Sequence, residues 1–402
     1  MKRVYIIGTA DTKGPELLYI KALVEAAGPS ALLVDVGTRA PTVPVDVPAA
    51  IVASFHPRGM PHVLGTGDRP IDDRGVAVEA MGEAFANFIS SREDIGGVIG
   101  IGGGGGTSII TAGLRRLPVG LPKIMVSTLA AGDVKPFVGA SDITMMYSVT
   151  DVSGLNRISR TVIGNAAHAI AGMASHEIPA AAMKPAIGLT MFGVTTTCVT
   201  RVAEQLGERY DCLVFHATGT GGQSMEKLVD SGMLVGVIDV TTTEVCDHLV
   251  GGVLSAGPDR FGAIARTGVP YVGSAGALDM VNFWAIDTVP SQFRSRNLYR
   301  HNPQVTLLGT SQEECRQIGE WIGQKLNACH GPVRFLIPEK GVSAIDAPGQ
   351  PFYDPEADAA LFDAIEGTVR QTAKRKVLRL PLHVNDAQFA DALVEQFREI
   401  TA

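Results

Sequence analysis

This 402-residue sequence has no long apolar runs, no paired-cysteine motif and no strong net charge. No apolar stretch reaches the roughly 20 residues that a membrane-spanning helix needs, so we expect no membrane partner. The five cysteines are odd in number and form no CxxC pair, which fits reduced thiols in a cytoplasmic protein better than a disulfide framework. A formal net charge of −7 argues against a nucleic-acid partner.

Several catalytic signatures are missing as well. The chain has no GxxxxGK[ST] loop of the Walker type and no GxSxG elbow of the α/β-hydrolases. It has no HExxH or comparable spacing of histidines, so we expect no metal site. Apolar residues make up 46% of the chain and charged residues 19%, which is typical of a compact globular protein. The length predicts two domains.

Strand-like and helix-like segments alternate along the chain. A β-rich run at residues 3–7, a helical period ending near residue 27 and a second strand at 31–36 form a βαβ unit with a right-handed crossover. The same alternation resumes after a segment rich in alanine and proline. We therefore predict an α/β fold with two doubly wound Rossmann-like domains and mainly parallel sheets, at residues 1–180 and 186–402.

Five consecutive glycines at residues 102–106, followed by Thr107, are the strongest local signal. They come between a predicted buried strand and a predicted helix. Backbone without Cβ atoms can adopt positive φ and approach a bound group closely, and free N–H groups at a helix N-terminus bind anions. The alternative is a tight turn without a ligand, which does not need five entropically costly glycines in a row. The run predicts a phosphate site.

Other polar loops also follow predicted strands and therefore share one edge of the first sheet. Basic and hydroxyl side chains in these loops, Lys135 among them, are suited to phosphate oxygens. The alternatives are structural: Asp11 and Thr12 as a helix cap, and Arg157 in an ion pair with Asp151. The nucleotide-binding candidates are Gly8, Thr9, Asp11, Thr12, Lys13, Asp35, Gly102, Gly103, Gly104, Gly105, Gly106, Thr107, Ser127, Thr128, Asp151, Asn156 and Arg157.

The choice of nucleotide rests on the acidic residue that a dinucleotide site needs for its ribose. Gly100, Gly102 and Gly105 match GxGxxG literally, but the next predicted strand ends without a carboxylate. Asp35 has the right place for a ribose contact, yet the loop before it lacks the three glycines. A mononucleotide therefore fits better than NAD, and an NAD-dependent oxidoreductase is kept as an alternative.

The second half contains another glycine-rich loop and a group of acid–base side chains. Glu244, Asp247 and His248 are close enough in sequence for catalytic acid–base work. Thr241 and Glu244 also match a capping box, which is the structural alternative. The second candidate anion nest consists of Thr218, Gly219, Thr220, Gly221 and Gly222.

Eight motifs spread over nearly the whole chain resemble one bacterial family. They are GTADTK at 8–13, GIGGGGGTS at 100–108, SDITMMYS at 141–148, GLNRISR at 154–160, VFHATGTGG at 214–222, TTTE at 241–244, ALDMVNF at 277–283 and HNPQVT at 301–306. The family is related to the amino-terminal inhibitory domain of a plant tobamovirus (tomato mosaic virus) resistance protein. Plant members carry an additional C-terminal barrel domain, and we expect this chain to be a stand-alone form without it.

The resemblance implies two Rossmann-like subdomains, ATP binding and homodimerisation. In the plant member, this domain inhibits viral RNA replication by binding the replication protein. The leading hypothesis is therefore a cytoplasmic homodimer that binds ATP, with or without magnesium, through the loop at 102–107. One alternative is an enzyme that uses a cleft to transfer or hydrolyse a phosphoryl or acyl group on a small acidic metabolite. Another is a protein-interaction module stabilised by the nucleotide.

Overall fold

The computed structural model describes residues 2–65, 73–179 and 183–402. The chain forms two compact units, Met1–Ala181 and Ala182–Ala402. Residue 180, the predicted end of the first domain, lies outside the described residues. Each unit contains a parallel sheet with helices, so the predicted α/β class with two Rossmann-like domains is confirmed. No helix in the described ranges has the length and apolar character of a membrane span.

The first unit is built on a five-stranded parallel sheet in the order β2-β1-β3-β4-β5. This order reverses between β1 and β3, which creates a crevice at the carboxyl ends of those two strands. Its elements are β1 (Arg3–Gly8), α1 (Ala10–Ala26), β2 (Ala31–Asp35), α2 (Ala49–Ala53), α3 (Met60–Leu64), α4 (Arg74–Ser90), β3 (Ile95–Gly102), α5 (Gly104–Leu114), β4 (Lys123–Ser127), α6 (Lys135–Val138), β5 (Thr144–Tyr147) and α7 (Arg157–Ser175).

Helices cover both faces of this sheet. On one face α4 and α5 pack around a cluster that includes Phe85 and Ile110, and on the other α1 and α7 pack around Leu17 and Ile163. Strands covered on both faces are apolar on both sides, which is why they are continuous apolar runs in the sequence. The arrangement leaves the carboxyl edge of the strands as the place where polar loops gather.

The start of α1 differs from the prediction. The candidates from Gly8 to Lys13 were assigned to a polar loop after the first strand, but α1 begins at Ala10 and bends at Lys13, where φ is −124° and ψ is 17°. The carbonyl oxygen of Thr9 accepts the N–H groups of Thr12 and Lys13 at 3.0 and 2.8 Å, which forms the first turn. Pro15 fits because its missing N–H falls within the first turn of the helix that continues after the bend.

The second unit has a six-stranded parallel sheet in the order β14-β13-β9-β8-β6-β7 and a three-stranded antiparallel sheet in the order β10-β12-β11. The antiparallel sheet was not predicted. The elements are β6 (Ala186–Met191), α8 (Thr196–Leu206), β7 (Asp211–His216), α9 (Thr220–Asp230), β8 (Gly236–Thr241), α10 (Glu244–Val250), α11 (Gly262–Thr267), β9 (Tyr271–Gly276), β10 (Met280–Phe283), β11 (Leu298–Asn302), β12 (Val305–Gly309), α12 (Gln312–Asn327), β13 (Val333–Pro338), α13 (Pro355–Thr368), β14 (Arg375–Leu380) and α14 (Ala387–Thr401).

Candidate functional site

The strand ends of the first unit bring most of the predicted phosphate loops to one edge, which we call the strand-end site. Asp35 pairs with Gly8, and Gly102 pairs with Ser127, so the loops after β2, β1, β3 and β4 follow one another across the sheet. Neighbouring strands lie about 5 Å apart. A ligand of nucleotide size can therefore contact several of these loops at once.

The glycine loop, residues 102–106, ends β3 and forms the first turn of α5. Gly103 is the N-cap residue, and it offers no side chain to bond the N–H groups of α5. None of the five glycines has a positive φ, so the conformational freedom that they provide is not used. Only Gly102 is required by close packing, since a Cβ on it would lie 3.0 Å from the Cα of Gly106.

Among the described residues, nothing gives the other four glycines such a packing reason. A Cβ on Gly103, Gly104 or Gly106 would meet nothing closer than 3.8 Å, and one on Gly105 would lie 3.4 Å from Val78. Glycine in a helix costs about 1 kcal/mol relative to alanine. The first N–H groups of a helix also have no acceptor inside it. The loop is therefore an open stretch of main chain with unused donors.

Arg74, the first residue of α4, adds a positive charge to this loop. Its guanidinium nitrogen lies 3.8 Å from the position that a Cβ on Gly105 would take. The side chain is exposed, and no carboxylate within the described part of the chain pairs with it. Arg74 is not among the predicted ligands because it precedes a strand in the chain, whereas the predicted cationic ligands follow strands.

Two of the predicted hydroxyl ligands lie inside the loop instead of on its surface. Thr107 and Ser127 are fully buried and their hydroxyl groups bond each other at 2.7 Å. The Ser127 hydroxyl also accepts the N–H of Leu129 at 3.0 Å. The structure thus corrects their role from ligand contact to fastening the glycine loop to the end of β4. Thr128 stays at the surface, near Gly103.

The loop after β5 is also held by predicted ligand residues. Lys13 donates its ammonium to the carbonyl oxygen of Val152, and Glu16 accepts the N–H of Gly154 at 2.6 Å. Asn156 is the N-cap of α7 and accepts two main-chain N–H groups of its first turn, both at 2.9 Å. Lys13 and Asn156 therefore have structural partners within the protein, and their contact with a nucleotide stays a prediction.

Asp151 and Arg157 are exposed at the same end of the sheet. The alternative that they pair with each other is not observed, because no ion pair joins them within the described ranges. The alternative that Asp11 and Thr12 merely cap α1 is not observed either. The N-cap of α1 is Thr9, and its side chain makes no capping bond. Its hydroxyl bonds that of Thr12 at 2.8 Å at the surface.

Asp35 fastens the end of β2 to the start of α1. Its Oδ1 accepts the N–H groups of Ala10 and Gly37 at 2.9 and 2.8 Å. Burial raises the pKa of Asp35, the two N–H groups oppose that rise, and the neighbouring Asp11 carboxylate adds to it. Asp35 Oδ2 and Asp11 Oδ1 are buried and have no hydrogen-bond partner among the described residues.

The glycine-rich loop of the second unit also joins a strand end to a helix start, but it already contains an anion. Glu244 Oε1 accepts the N–H groups of Gly219 and Gly222 at 2.7 and 3.0 Å. Gly219 has a φ of +84°, and a Cβ on Gly222 would collide with the Glu244 carboxylate. The predicted anion nest at 218–222 therefore exists, and a side chain of the protein fills it.

Glu244 belongs to a buried charge network around Arg260. The guanidinium of Arg260 bonds Glu244 at 2.9 Å, Glu226 at 3.1 Å and Asp239 at 2.8 Å. Burial raises the pKa of Glu244 and of Glu226, and Arg260 opposes the rise. Both oxygens of Glu244 have partners and the residue is fully buried, so it is engaged in the core of the second unit, and its catalytic role stays a prediction.

The capping box predicted for Thr241 and Glu244 is wrong. The N-cap of α10 is Thr243, which makes no side-chain capping bond, and the Glu244 carboxylate bonds N–H groups at the start of α9 instead. Glu244, at the start of α10, can accept N–H groups from the start of α9 because these two helices begin at the same edge of the sheet.

Asp247 and His248 have separate surroundings. Asp247 is buried and accepts the N–H groups of Leu254 and Asn282 and the side-chain amide of Asn282, at 3.0, 3.2 and 2.7 Å. Burial raises its pKa to about 7. His248 lies 3.5 Å from the Ser255 hydroxyl and beside the ring of Trp321. The three predicted catalytic side chains do not converge on one point.

A group of buried carboxylates that sequence analysis missed follows β9 and β13. Burial raises the pKa of Asp279 to about 8 and that of Asp358 to about 9, and the Asp346 carboxylate adds to both shifts. The Ser343 hydroxyl donates to Asp279 at 2.7 Å. The described residues contain no group of three acidic, histidine or cysteine side chains that could hold a metal ion. The residues are far apart in sequence, so no local pattern reveals them.

Comparison with known protein families gives two matches that together cover nearly the whole chain. Residues 2–179 match the N-terminal domain, and residues 184–401 the C-terminal domain, of the family described as "Uncharacterised protein family (UPF0261)". The protein RA0729 of Rhizobium meliloti is 64% identical over 100% of this chain and 99% of its own length. A Clostridium tetani relative is 46% identical over 98% of each chain.

The resemblance to the plant protein family is also supported by a direct comparison. The ToMV resistance protein Tm-1(GCR237) of Solanum lycopersicum is 42% identical over 99% of this chain and 56% of its own length. Together with the two domain matches, these relatives show that the chain belongs to the UPF0261 family.

Proposed function

We propose that the protein binds ATP, with the phosphates on the glycine loop of the first unit. One observation carries this proposal: four glycines of that loop leave open space that no described residue fills. Gly103 is the N-cap of α5, and the other three, Gly104, Gly105 and Gly106, lie in its first turn, where alanine would be more stable. A bound anion would explain these glycines, since it could approach closely and contact the main-chain N–H groups directly.

The second unit provides an internal comparison for this argument. There Gly222 at the start of α9 is explained by a carboxylate, because it has no room for a Cβ beside Glu244. The glycine loop of the first unit also joins a strand end to a helix start, but no carboxylate of the described residues lies on it. The likeness supports an external anion in the first unit.

ATP is favoured over NAD on two grounds. The motifs shared with the plant protein family imply ATP, and β4, which follows the glycine loop, ends at Ser127 without the carboxylate that a dinucleotide site uses. The acid–base enzyme is less supported, because Glu244 and Asp247 are engaged in the core. The name of the tomato relative refers to virus resistance, so a nucleotide-dependent interaction module remains the second candidate.

We also propose that the protein is a cytoplasmic homodimer. All five cysteines are free thiols, which fits a reducing compartment. Sedimentation with and without ATP measures the oligomeric state, and a monomer at micromolar concentration in both conditions would contradict the dimer.

Substitutions at Gly104 distinguish the effect of this glycine on stability from its proposed role in ATP binding. Alanine at this position has room and favours the helix, so we expect Gly104→Ala to raise the free energy of unfolding by up to about 1 kcal/mol. The same change should weaken ATP binding, and Gly104→Val should weaken it further, because each added carbon occupies space for a phosphate. Isothermal titration calorimetry with and without magnesium measures the affinity, and urea unfolding measures the stability.

Gly172→Ala in α7 is the matched control, since a Cβ there meets nothing within 4 Å and one on Gly104 meets its nearest atom at 3.8 Å. It should stabilise the protein to a similar degree and leave ATP binding unchanged. If the Gly104→Val variant binds ATP as tightly as the unaltered protein, the assigned loop is wrong. If the unaltered protein shows no saturable binding of ATP, the proposed function is wrong.

A further inference from the structure

The surroundings of Arg74 contain an electrostatic conflict. Its guanidinium lies beside the first turn of α5, 3.8 Å from the position of a Cβ on Gly105. A helix N-terminus carries a partial positive charge of about half a unit, so the cation and the helix end repel each other. The described residues place no carboxylate between them. An anion seated on the glycine loop would attract both groups and remove the conflict.

The acid nearest in sequence is used elsewhere. Asp73 is the N-cap of α4, and its Oδ1 accepts the N–H groups of Gly75 and Val76 at 2.7 and 3.2 Å. It therefore compensates the start of α4, the helix that carries Arg74, and not the start of α5. Among the described residues, no acid therefore compensates the positive charge at the glycine loop.

The opposite end of the strand-end site has buried carboxylate oxygens without hydrogen-bond donors. Asp35 is fully buried, and its Oδ2, like Oδ1 of Asp11, has no donor among the described residues. The two carboxylates lie close to Gly37: Oδ1 of Asp35 is 2.9 Å, and Oδ1 of Asp11 is 3.0 Å, from the position of a Cβ on it. Hydroxyl groups of a ligand would supply the missing donors. The ends of β2 and β3 are two strand spacings, or about 10 Å, apart.

We propose that Arg74 is a phosphate-binding residue and that the site takes a nucleoside polyphosphate, with its phosphates on Arg74 and the glycine loop and its ribose hydroxyl groups towards Asp11 and Asp35. This inference rests on the proposed nucleotide function. It adds the orientation of the ligand and assigns Arg74 to its negatively charged phosphates. Arginine suits this role because its planar fork bonds two phosphate oxygens at once. Selectivity then follows the number of phosphates.

The test is calorimetric titration of four ligands, ATP, ADP, AMP and adenosine, with the complete chain and its variants. Arg74→Ala should weaken ATP binding roughly tenfold to a hundredfold, the usual effect of losing a charge-assisted hydrogen bond, and leave adenosine binding unchanged. Arg74→Lys should recover part of the loss. Asp11→Asn should weaken adenosine and ATP by the same factor.

Arg116→Ala is the matched control, because it removes the same charge just beyond the opposite end of α5. Its ATP affinity should stay within about twofold of the unaltered protein, since exposed charges more than a Debye length away are screened. If Arg74→Ala binds ATP like the unaltered protein, or weakens adenosine as much as ATP, the role of Arg74 is refuted while nucleotide binding stands. If the unaltered protein binds none of the four ligands, both proposals fall.

Discussion

Replacing Arg260 by methionine should remove about 3–5 kcal/mol from the stability of the protein. Arg260 is 2% exposed and bonds three carboxylates that are themselves buried, namely Glu226, Asp239 and Glu244. Without the guanidinium these groups must either stay charged in an apolar environment or take up protons. A domain is typically stable by about 5–15 kcal/mol, so the loss is a large fraction of the total. Urea unfolding followed by circular dichroism measures it.

The control is Arg266→Met in the neighbouring helix α11. Arg266 also pairs with two acids, Asp230 and Asp259, but its side chain is 49% exposed, so we expect a change below about 1 kcal/mol. Adding Glu226→Gln to the Arg260→Met variant should recover part of the stability, because one buried charge is then removed. A loss for Arg260→Met no larger than that for Arg266→Met would show that the network contributes little.

Asparagine in place of Asp358 should make the protein less sensitive to alkaline pH. The folded pKa of Asp358 is raised from 3.8 to about 9, mainly by burial and then by the carboxylates of Asp346 and Asp279. Between these two pH values the unfolded chain releases a proton that the folded chain keeps. The stability is therefore fully present below pH 4 and is progressively lost as the pH rises towards 9.

The Asp358→Asn variant cannot ionise at that position, so its free energy of unfolding should fall less between pH 5 and pH 9 than that of the unaltered protein. Asp279 and Asp346, whose pKa values burial also raises, remain in the cluster. Asp363→Asn in the same helix is the control, because that side chain is 71% exposed and should leave the pH dependence unchanged. Parallel pH profiles of the Asp358 variant and the unaltered protein would contradict the prediction.

The fold was predictable because its strongest determinants are local. Apolar runs such as residues 98–101 need cover on both faces, and helical segments between them provide it, so the parallel sheets follow from the alternation. The sheet of β10, β11 and β12 was missed because its strands are short and because β10 pairs with β12 across the intervening residues 284–304. Neither composition nor periodicity records such a pairing.

The site was predictable only where a single segment forms it. The glycine loop is contiguous, so its place between β3 and α5 could be derived from the order of the residues. Arg74 meets that loop through the packing of α4 on α5, and Glu244 reaches Gly219 from 25 residues away. Such partners are fixed by tertiary contacts. The capping-box pattern at Thr241 was misleading for the same reason, since a distant helix competed for the carboxylate.

The Glu244 carboxylate on the second glycine-rich loop has a consequence for how the protein responds to its surroundings. The second unit carries its own counterion, so its folding free energy at this loop is independent of any metabolite. If ATP binds the first unit as proposed, then by mass action the stability of that unit should rise with the concentration of ATP, while the loop at Glu244 needs no such ligand.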